Sequence, residues 1–230
     1  MFKMKKYLLL PVVIISFVLL SPPVIQAEEN PQIILRSSHR DLIVYQIQII
    51  SNIFIVNKHN YGFYGHSTII NSYENKSENG DNVVIDHATG LIWQQSGSDE
   101  VLDLPKAEQW VIDLNDKGFA GYSDWRLPTA EEAISLLEPG RNTSNLYIDP
   151  VFDTKQTGIW TGDKNTRDSY LKGAWCVRFD GGYGGGNACW VYNNATNYVR
   201  NEGKTDKGRK KNTKTTKRQK QHKKARKKKI

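Results

Sequence analysis

Cysteine is scarce in this sequence, and the common motifs of metal-dependent and nucleotide-dependent enzymes are missing. The chain has 230 residues and two cysteines, which excludes a disulfide-dense scaffold and a four-thiolate zinc site. Its five histidines show no metal-ligand spacing, and no H-E-x-x-H, G-x-S-x-G or P-loop motif occurs. The mean hydropathy of -0.58 excludes a polytopic membrane protein. We therefore expect no catalytic residues of these classes, no metal and no cofactor.

Charge is divided unevenly along the chain. The formal net charge is +8, yet Lys204–Ile230 alone carries 15 Lys and Arg residues against one acid, so the preceding part is acidic. A low-complexity basic segment with almost no aliphatic residues cannot bury enough surface to fold. This composition predicts a disordered polybasic tail over residues 203–230.

Cations on a flexible segment attract dense polyanions, with an affinity that falls as salt rises. Outside a cell, the expected partners are sulfated glycosaminoglycans, lipopolysaccharide, teichoic acids or extracellular DNA. Two alternatives remain open: a solvated extension without a partner, and a tail that docks on its own acidic body. The cations expected to contact a polyanion are Lys210, Lys211, Lys217, Arg218, Lys223, Lys224, Arg226, Lys227, Lys228 and Lys229.

The amino end has the layout of a secretory signal. Three lysines precede the almost wholly apolar run Tyr7–Leu20, and Ile25-Gln26-Ala27 ends in a small residue suited to cleavage. This predicts a signal peptide over residues 1–27 and a secreted, periplasmic or cell-surface protein. The alternative is an uncleaved amino-terminal anchor.

Residues 28–79 form a variable segment with little readable pattern. An Ile-rich stretch, Leu42–Val56, alternates apolar residues with Gln46 and Gln48, and this period of two predicts a strand, at a sheet edge or in a loose lead-in.

Two helices are predicted in the next part of the chain. Leu104–Asp116 places apolar residues at helical spacing, with Asp103 as its N-cap and Gly118 after its end. A second helix begins at Thr129, which with Glu132 makes a capping box. We expect this helix to stop at Pro139-Gly140.

A β-hairpin is predicted over Ala174–Tyr192. Trp175-Cys176-Val177 is mirrored by Ala188-Cys189-Trp190 about a glycine-rich centre. The mirror places Trp175 opposite Trp190 and Cys176 opposite Cys189, and strand alternation puts the cysteines on the face away from the tryptophans.

Several short motifs follow one another between Gly80 and Arg200. The most specific is D-W-R-L-P-T, and weaker blocks surround it. The positions concerned are Trp93, Asp124, Trp125, Arg126, Leu127, Pro128, Thr129, Glu132, Trp160, Trp175 and Arg200. The order of these motifs resembles the Lcl C-terminal domain family, named after the C-terminal domain of a bacterial collagen-like adhesin.

The resemblance implies an α+β domain over residues 80–202 with two helices and short antiparallel strands. The expected fold is C-type-lectin-like. This fold is shared with the sulfatase-modifying-factor-like domains of the formylglycine-generating enzymes. It also implies a bacterial, exported protein with no settled activity. The namesake adhesin binds sulfated glycosaminoglycans, but no short motif carries that binding onto particular residues.

The D-W-R-L-P-T string has a structural interpretation. Pro128 ends an extended segment, Thr129 caps the following helix, and Trp125 and Leu127 are expected in the core. Arg126 is expected to pair with an acid or a carbonyl. The alternative is that Asp124 or Arg126 contacts a ligand.

The two cysteines admit three interpretations. In an exported protein, Cys176 and Cys189 are candidates for a cross-strand disulfide. Its geometry would be tight, because directly opposite strand positions suit a disulfide only at the closer, non-hydrogen-bonded pairs. They could instead be two unpaired thiols, or a catalytic thiol of a formylglycine-generating oxidoreductase. The spacing of the pair departs from the pattern of those enzymes.

Glycan binding is the remaining functional interpretation. Aromatic faces stack on sugar rings, and Tyr183, Tyr192 and Tyr198 lie in or near the glycine-rich hairpin. The triplet of calcium-dependent lectins is incomplete, because Gly140 stands where an asparagine is needed. We expect an exported, non-catalytic, adhesin-like binding module for glycans or other polyanions, with nucleic-acid binding through the tail and the oxidoreductase as alternatives.

Overall fold

The computed structural model describes residues 32–165, 173–192 and 202–203, all within one compact unit, Pro31–Ile230. The predicted signal peptide and nearly all of the predicted basic tail lie outside the described residues. None of the helices in the described part of the chain has the length and apolar character needed to cross a membrane.

The described residues form three α-helices and nine strands. The helices are α1 (Val44–Ile47), α2 (Leu104–Lys117) and α3 (Ala130–Ser135). The strands are β1 (Ile53–His59), β2 (Gly62–Ser67), β3 (Tyr73–Glu78), β4 (Asp81–Asp86), β5 (Leu91–Gln94), β6 (Gly158–Asn165), β7 (Gly173–Gly182), β8 (Gly185–Tyr192) and β9 (Glu202–Gly203).

The strands build two antiparallel sheets. One has the order β1-β2-β8-β7-β6, and the other has the order β3-β4-β5-β9. With the three helices, these sheets confirm the predicted α+β class with antiparallel strands.

The segment before residue 80 is part of both sheets. Strand β2 pairs with β8, and β3 pairs with β4 across the turn at Asn79-Gly80, so the pairing crosses the predicted domain boundary. The prediction of one strand over Leu42–Val56 is wrong in its first half, which contains helix α1. There the Gln46 side chain accepts a hydrogen bond from the Ile43 amide at 3.0 Å, and Ile47 is buried. This local cap and the burial of Ile47 outweigh the alternating pattern.

Both predicted helices are confirmed. The Asp103 carboxylate accepts from the Lys106 amide at 2.9 Å, and Gly118 ends α2 in the left-handed region, with φ 65°. At α3, Thr129 and Glu132 form the predicted capping box. Helix α3 ends at Ser135, earlier than predicted. Beyond it the chain turns, and the Leu137 carbonyl accepts a hydrogen bond from the Ser67 amide of β2 at 2.9 Å.

The β7–β8 hairpin has the predicted register, with Trp175 opposite Trp190 and Cys176 opposite Cys189. Its alternation separates two hydrophobic clusters. One cluster packs against α3 and contains Trp175 and the hairpin residues on the same face as Trp175. The other packs against α2 and contains both cysteines. The glycines that flank the turn are strand residues, because Gly182 pairs with Gly185. The Cβ of any residue at 185 would lie 2.7 Å from the Gly65 backbone, so glycine permits this close approach of β8 to β2.

A buried ion network fastens the amino-terminal segment to the domain. Arg36 donates to both carboxylate oxygens of Asp163, at 2.9 and 2.5 Å, and to Glu131. The Asp163 side chain is fully buried and also accepts from the Ala130 amide at the start of α3, at 2.7 Å. Burial opposes the charge on Arg36, but the hydrogen bonds and charges of Asp163 and Glu131 outweigh it and raise the Arg36 pKa. Loss of Arg36 would leave the buried Asp163 carboxylate without its cation, whereas Glu131 would keep Arg40.

Replacing Arg36 by methionine is expected to lower the free energy of unfolding by about 3 kcal/mol, because it strands the buried Asp163 charge. The matched control is Arg40→Met. The Arg40 side chain is 50% exposed and reaches Glu131 at 3.2 Å, so its loss should change stability by at most about 1 kcal/mol. Urea unfolding followed by tryptophan fluorescence measures both. Equal effects of the two substitutions would contradict the assignment of Arg36 as the anchor.

Candidate functional site

The D-W-R-L-P-T string lies mainly in the interior of the domain. Trp125 and Leu127 are buried, and the Asn115 side chain holds the Trp125 backbone through bonds of 2.6 and 2.9 Å. Arg126 donates to both oxygens of Glu132, at 2.9 and 2.7 Å, and to the Leu127 carbonyl. These are the two kinds of partner predicted for Arg126. Asp124 is exposed at the start of the string.

An open cleft of about 640 Å³ lies beside this string. Its polar walls are made by residues that already have partners. The His39 Nε2 donates to the Leu127 carbonyl at 2.8 Å, and Lys164 lies 3.4 Å from Glu108. Helix α2 supplies apolar Val111 to the lining. The cleft therefore has both charge signs and a largely satisfied hydrogen-bonding wall, which gives it no evident ligand preference.

The remaining motif tryptophans support the core. Trp93, Trp160 and Trp175 are fully or almost fully buried. The Trp160 indole donates to the Leu102 carbonyl at 2.9 Å, and the Trp175 indole donates to the Leu42 carbonyl at 3.0 Å. These side chains do not reach a surface where they could contact a ligand.

Cys176 and Cys189 lie directly opposite each other, with 3.3 Å between their sulfur atoms. Both are unbridged in this structure and buried, at 1% and 8% exposure. The hydrogen bond to Cys189 and burial raise the pKa of the Cys176 thiol well above its usual value, so Cys176 keeps its proton at neutral pH. The same hydrogen bond lowers the pKa of Cys189, so Cys189 is the thiol of the pair that ionises first.

An aromatic row on the five-stranded sheet consists of His59, Tyr64 and Tyr183. The ring centroids of His59 and Tyr64 are 5.0 Å apart, and those of Tyr64 and Tyr183 are also 5.0 Å apart. The rings come from β1, β2 and the turn between β7 and β8. Tyr183, at the end of the row, is 72% exposed.

Polar side chains flank the aromatic row. The His59 ring lies 3.1 Å from the Asn187 Oδ1, and Asn187 sits opposite both Tyr64 on β2 and Arg178 on β7. Arg178 forms a two-point ion pair with Asp180, at 3.0 and 2.5 Å, and this bond raises the Arg178 pKa. The pair leaves the surface close to neutral beside the rings.

The backbone at Tyr183 is strained. Tyr183 and Gly184 are the two turn residues of the hairpin, and both have positive φ, 51° and 83°. A two-residue hairpin turn of this kind favours Asn-Gly, Asp-Gly or Gly-Gly. A tyrosine in the left-handed region costs roughly 1 kcal/mol compared with those residues. The exposed ring is therefore held at the hairpin tip at some expense in stability.

Part of the predicted site lies outside the described residues. This applies to Tyr198, Arg200, the predicted cations of the tail and the side chain of Tyr192. Within residues 32–165 and 173–192, no group of three or more His, Cys, Asp or Glu side chains could hold a metal ion.

The sequence profile of the Lcl C-terminal domain matches residues 82–201. The chain therefore belongs to the Lcl C-terminal domain family, which indicates an adhesin-like surface module. No curated protein and no solved structure matches the chain.

Sequence analysis identified Tyr183 but missed Tyr64 and His59. Both belong to the β1–β2 hairpin, before the span that matches the family. The adjacent aromatic residues Phe63 and Tyr64 favour a strand in the sequence, and their alternation in burial is seen only in the structure. Neither feature reveals that β2 pairs with β8, which is what brings Tyr64 to Tyr183.

Replacing Tyr183 by asparagine is expected to leave the chain at least as stable as the native protein, because asparagine tolerates the left-handed region. The matched control is Tyr183→Ala, which also removes the ring but keeps the strain. The alanine variant should be less stable than the asparagine variant by about 1 kcal/mol in urea unfolding. Indistinguishable unfolding of the two variants would show that the turn does not strain residue 183.

Proposed function

We propose that this protein is an exported, non-catalytic, adhesin-like binding module that recognises glycans through the aromatic row. The observation that carries the proposal is the exposed Tyr183 ring held on a left-handed backbone beside Tyr64. An exposed side chain kept against its turn preference calls for a role other than stability.

The composition of the row suits a sugar ring. Its exposed aromatic edge offers apolar surface to the C–H face of a hexose, while Asn187 and Asp180 offer hydrogen-bonding groups at the side. Because Arg178 is paired with Asp180, the charge of this arginine is already matched beside the row. The ligand expected at the row is therefore a neutral oligosaccharide.

The proposal also includes a fold relationship and a location. The two antiparallel sheets, with α2 and α3 packed on them, are compatible with a C-type-lectin-like or sulfatase-modifying-factor-like domain. Residues 1–27 fit an export signal, which would place the domain in the periplasm, on the surface or outside the cell.

An oxidoreductase of the formylglycine-generating kind has less support. That chemistry needs a thiolate that substrate can reach, whereas Cys176 and Cys189 are both buried. Incubation of the protein with thiol substrates is expected to give no turnover.

On an array of neutral and sulfated oligosaccharides, the full chain is expected to bind neutral glycans, and Tyr183→Asn should weaken that binding at least tenfold, or about 1.4 kcal/mol. Loss of the stacking ring is the reason. Because this variant is expected to remain stable, weaker binding would not reflect unfolding.

The control for this experiment is Tyr45→Asn, which removes an equally exposed tyrosine (65%) from α1, outside the row. Its binding should equal that of the native chain. If Tyr45→Asn and Tyr183→Asn weaken neutral-glycan binding equally, or if neither does, the row is not the site.

A second function, polyanion binding, is favoured by the separation of charge between Lys204–Ile230 and the acidic remainder of the chain. Fifteen cations against one acid will bind sulfated glycosaminoglycans or lipopolysaccharide mainly through counterion release. This binding needs no folded site, so it is separable from glycan binding at the row.

The full chain is expected to be retained on heparin and eluted by moderate salt, and deletion of Lys204–Ile230 should abolish retention. Elution position in a salt gradient is the measurement. Unchanged retention after the deletion would assign polyanion binding to the folded domain.

A further inference from the structure

The two cysteines bring their sulfur atoms close together across the β7–β8 hairpin. They face each other across β7 and β8, with 3.3 Å between the sulfurs. A disulfide requires about 2.05 Å, so a shift of roughly 1 Å is enough.

The backbone pattern shows which kind of opposed position the pair occupies. The Trp190 amide donates to the Tyr61 carbonyl, on the side of β8 away from β7. Because successive residues of a strand direct their backbone groups to opposite sides, Cys189 directs its own toward β7 and Cys176. Opposed residues of this hydrogen-bonded kind have Cα atoms about 5.5 Å apart, which lies within the range of natural disulfides. Their side chains are farther apart than at non-hydrogen-bonded positions, so a bridge here must draw β7 and β8 together.

We propose that Cys176 and Cys189 form an intramolecular disulfide, made before the domain closes over them. In the reaction, a small-molecule or protein disulfide oxidises the two thiols. One cysteine thiolate attacks that disulfide and releases one thiol; the second cysteine then attacks the mixed disulfide and releases the other. Two electrons and two protons pass to the oxidant, which ends as two thiols.

The timing follows from burial. The pair lies in the cluster packed under α2, with Trp160 opposite Cys176 on β6, so an oxidant has no direct approach in the folded protein. The bridge is therefore expected to form in the nascent hairpin and to resist reductants once α2 has packed on it. This makes it a structural bond rather than an exchangeable one.

The bridge would act on the surface beside the aromatic row. Arg178 lies two residues from Cys176, Asn187 lies two residues from Cys189, and these neighbours form the next opposed pair on the same face. A covalent link at the cysteines fixes the separation of the strands that carry Arg178, Asn187 and, at their tip, Tyr183. The proposal does not require the row to bind a glycan.

The test uses the purified full chain, unfolded with reductant and refolded in mixtures of reduced and oxidised glutathione. The samples are quenched with N-ethylmaleimide in denaturant, and intact masses are recorded. The expected product is a monomer with no maleimide and no glutathione adduct. Two maleimide adducts, or stable glutathione adducts, in every mixture would overturn the proposal.

A second measurement separates a native bond from an incidental one. The urea midpoint of the oxidised chain is expected to fall when reductant is present during unfolding, whereas the midpoint of the Cys176→Ala/Cys189→Ala variant should not respond. Native oxidised protein should keep its bridge when reductant is added without denaturant. Equal midpoints with and without reductant, or rapid reduction of the folded protein, would overturn the proposal.

Discussion

The register of β7 against β8 is the constraint on which most of the domain depends. With Trp175 opposite Trp190, alternation sends one set of side chains to the cluster under α3 and the other set, with the cysteines, to the cluster under α2. A slip by one residue would exchange the two sets and bury Arg178. The same register places Tyr183 at the hairpin tip, and the pairing of β8 with β2 brings Asn187 beside Tyr64.

A second constraint joins the amino-terminal segment to the family domain. Arg36, between Asp163 and Glu131, fixes the chain over the start of α3, and Leu42 follows it into the core. A buried cation with two carboxylates has little net benefit over apolar packing, but it specifies one position for the segment because any displacement leaves charges unpaired. Residues 32–79 are therefore structural members of this domain, although the family profile begins at residue 82.

The proposed site has the features of a surface kept for binding. Its aromatic rings belong to three separate parts of the fold, its ion pair is satisfied, and one residue adopts a backbone conformation that tyrosine disfavours. The family string, in contrast, is engaged in helix capping and core packing. The residues that identify the family are thus different from those proposed to contact a ligand, which is consistent with a common scaffold that carries variable surfaces.

Local elements could be predicted from the sequence: the caps of α2 and α3, the mirror register of the hairpin and the core positions of Trp125 and Leu127. These follow from periodicity, capping and turn chemistry, which act over a few neighbouring residues. Only the tertiary structure decided that Arg36 meets Asp163, 127 residues away, and that Tyr64 meets Tyr183. Those contacts depend on which strands pair and on which buried charges must be matched, and no local pattern encodes a choice of distant partner.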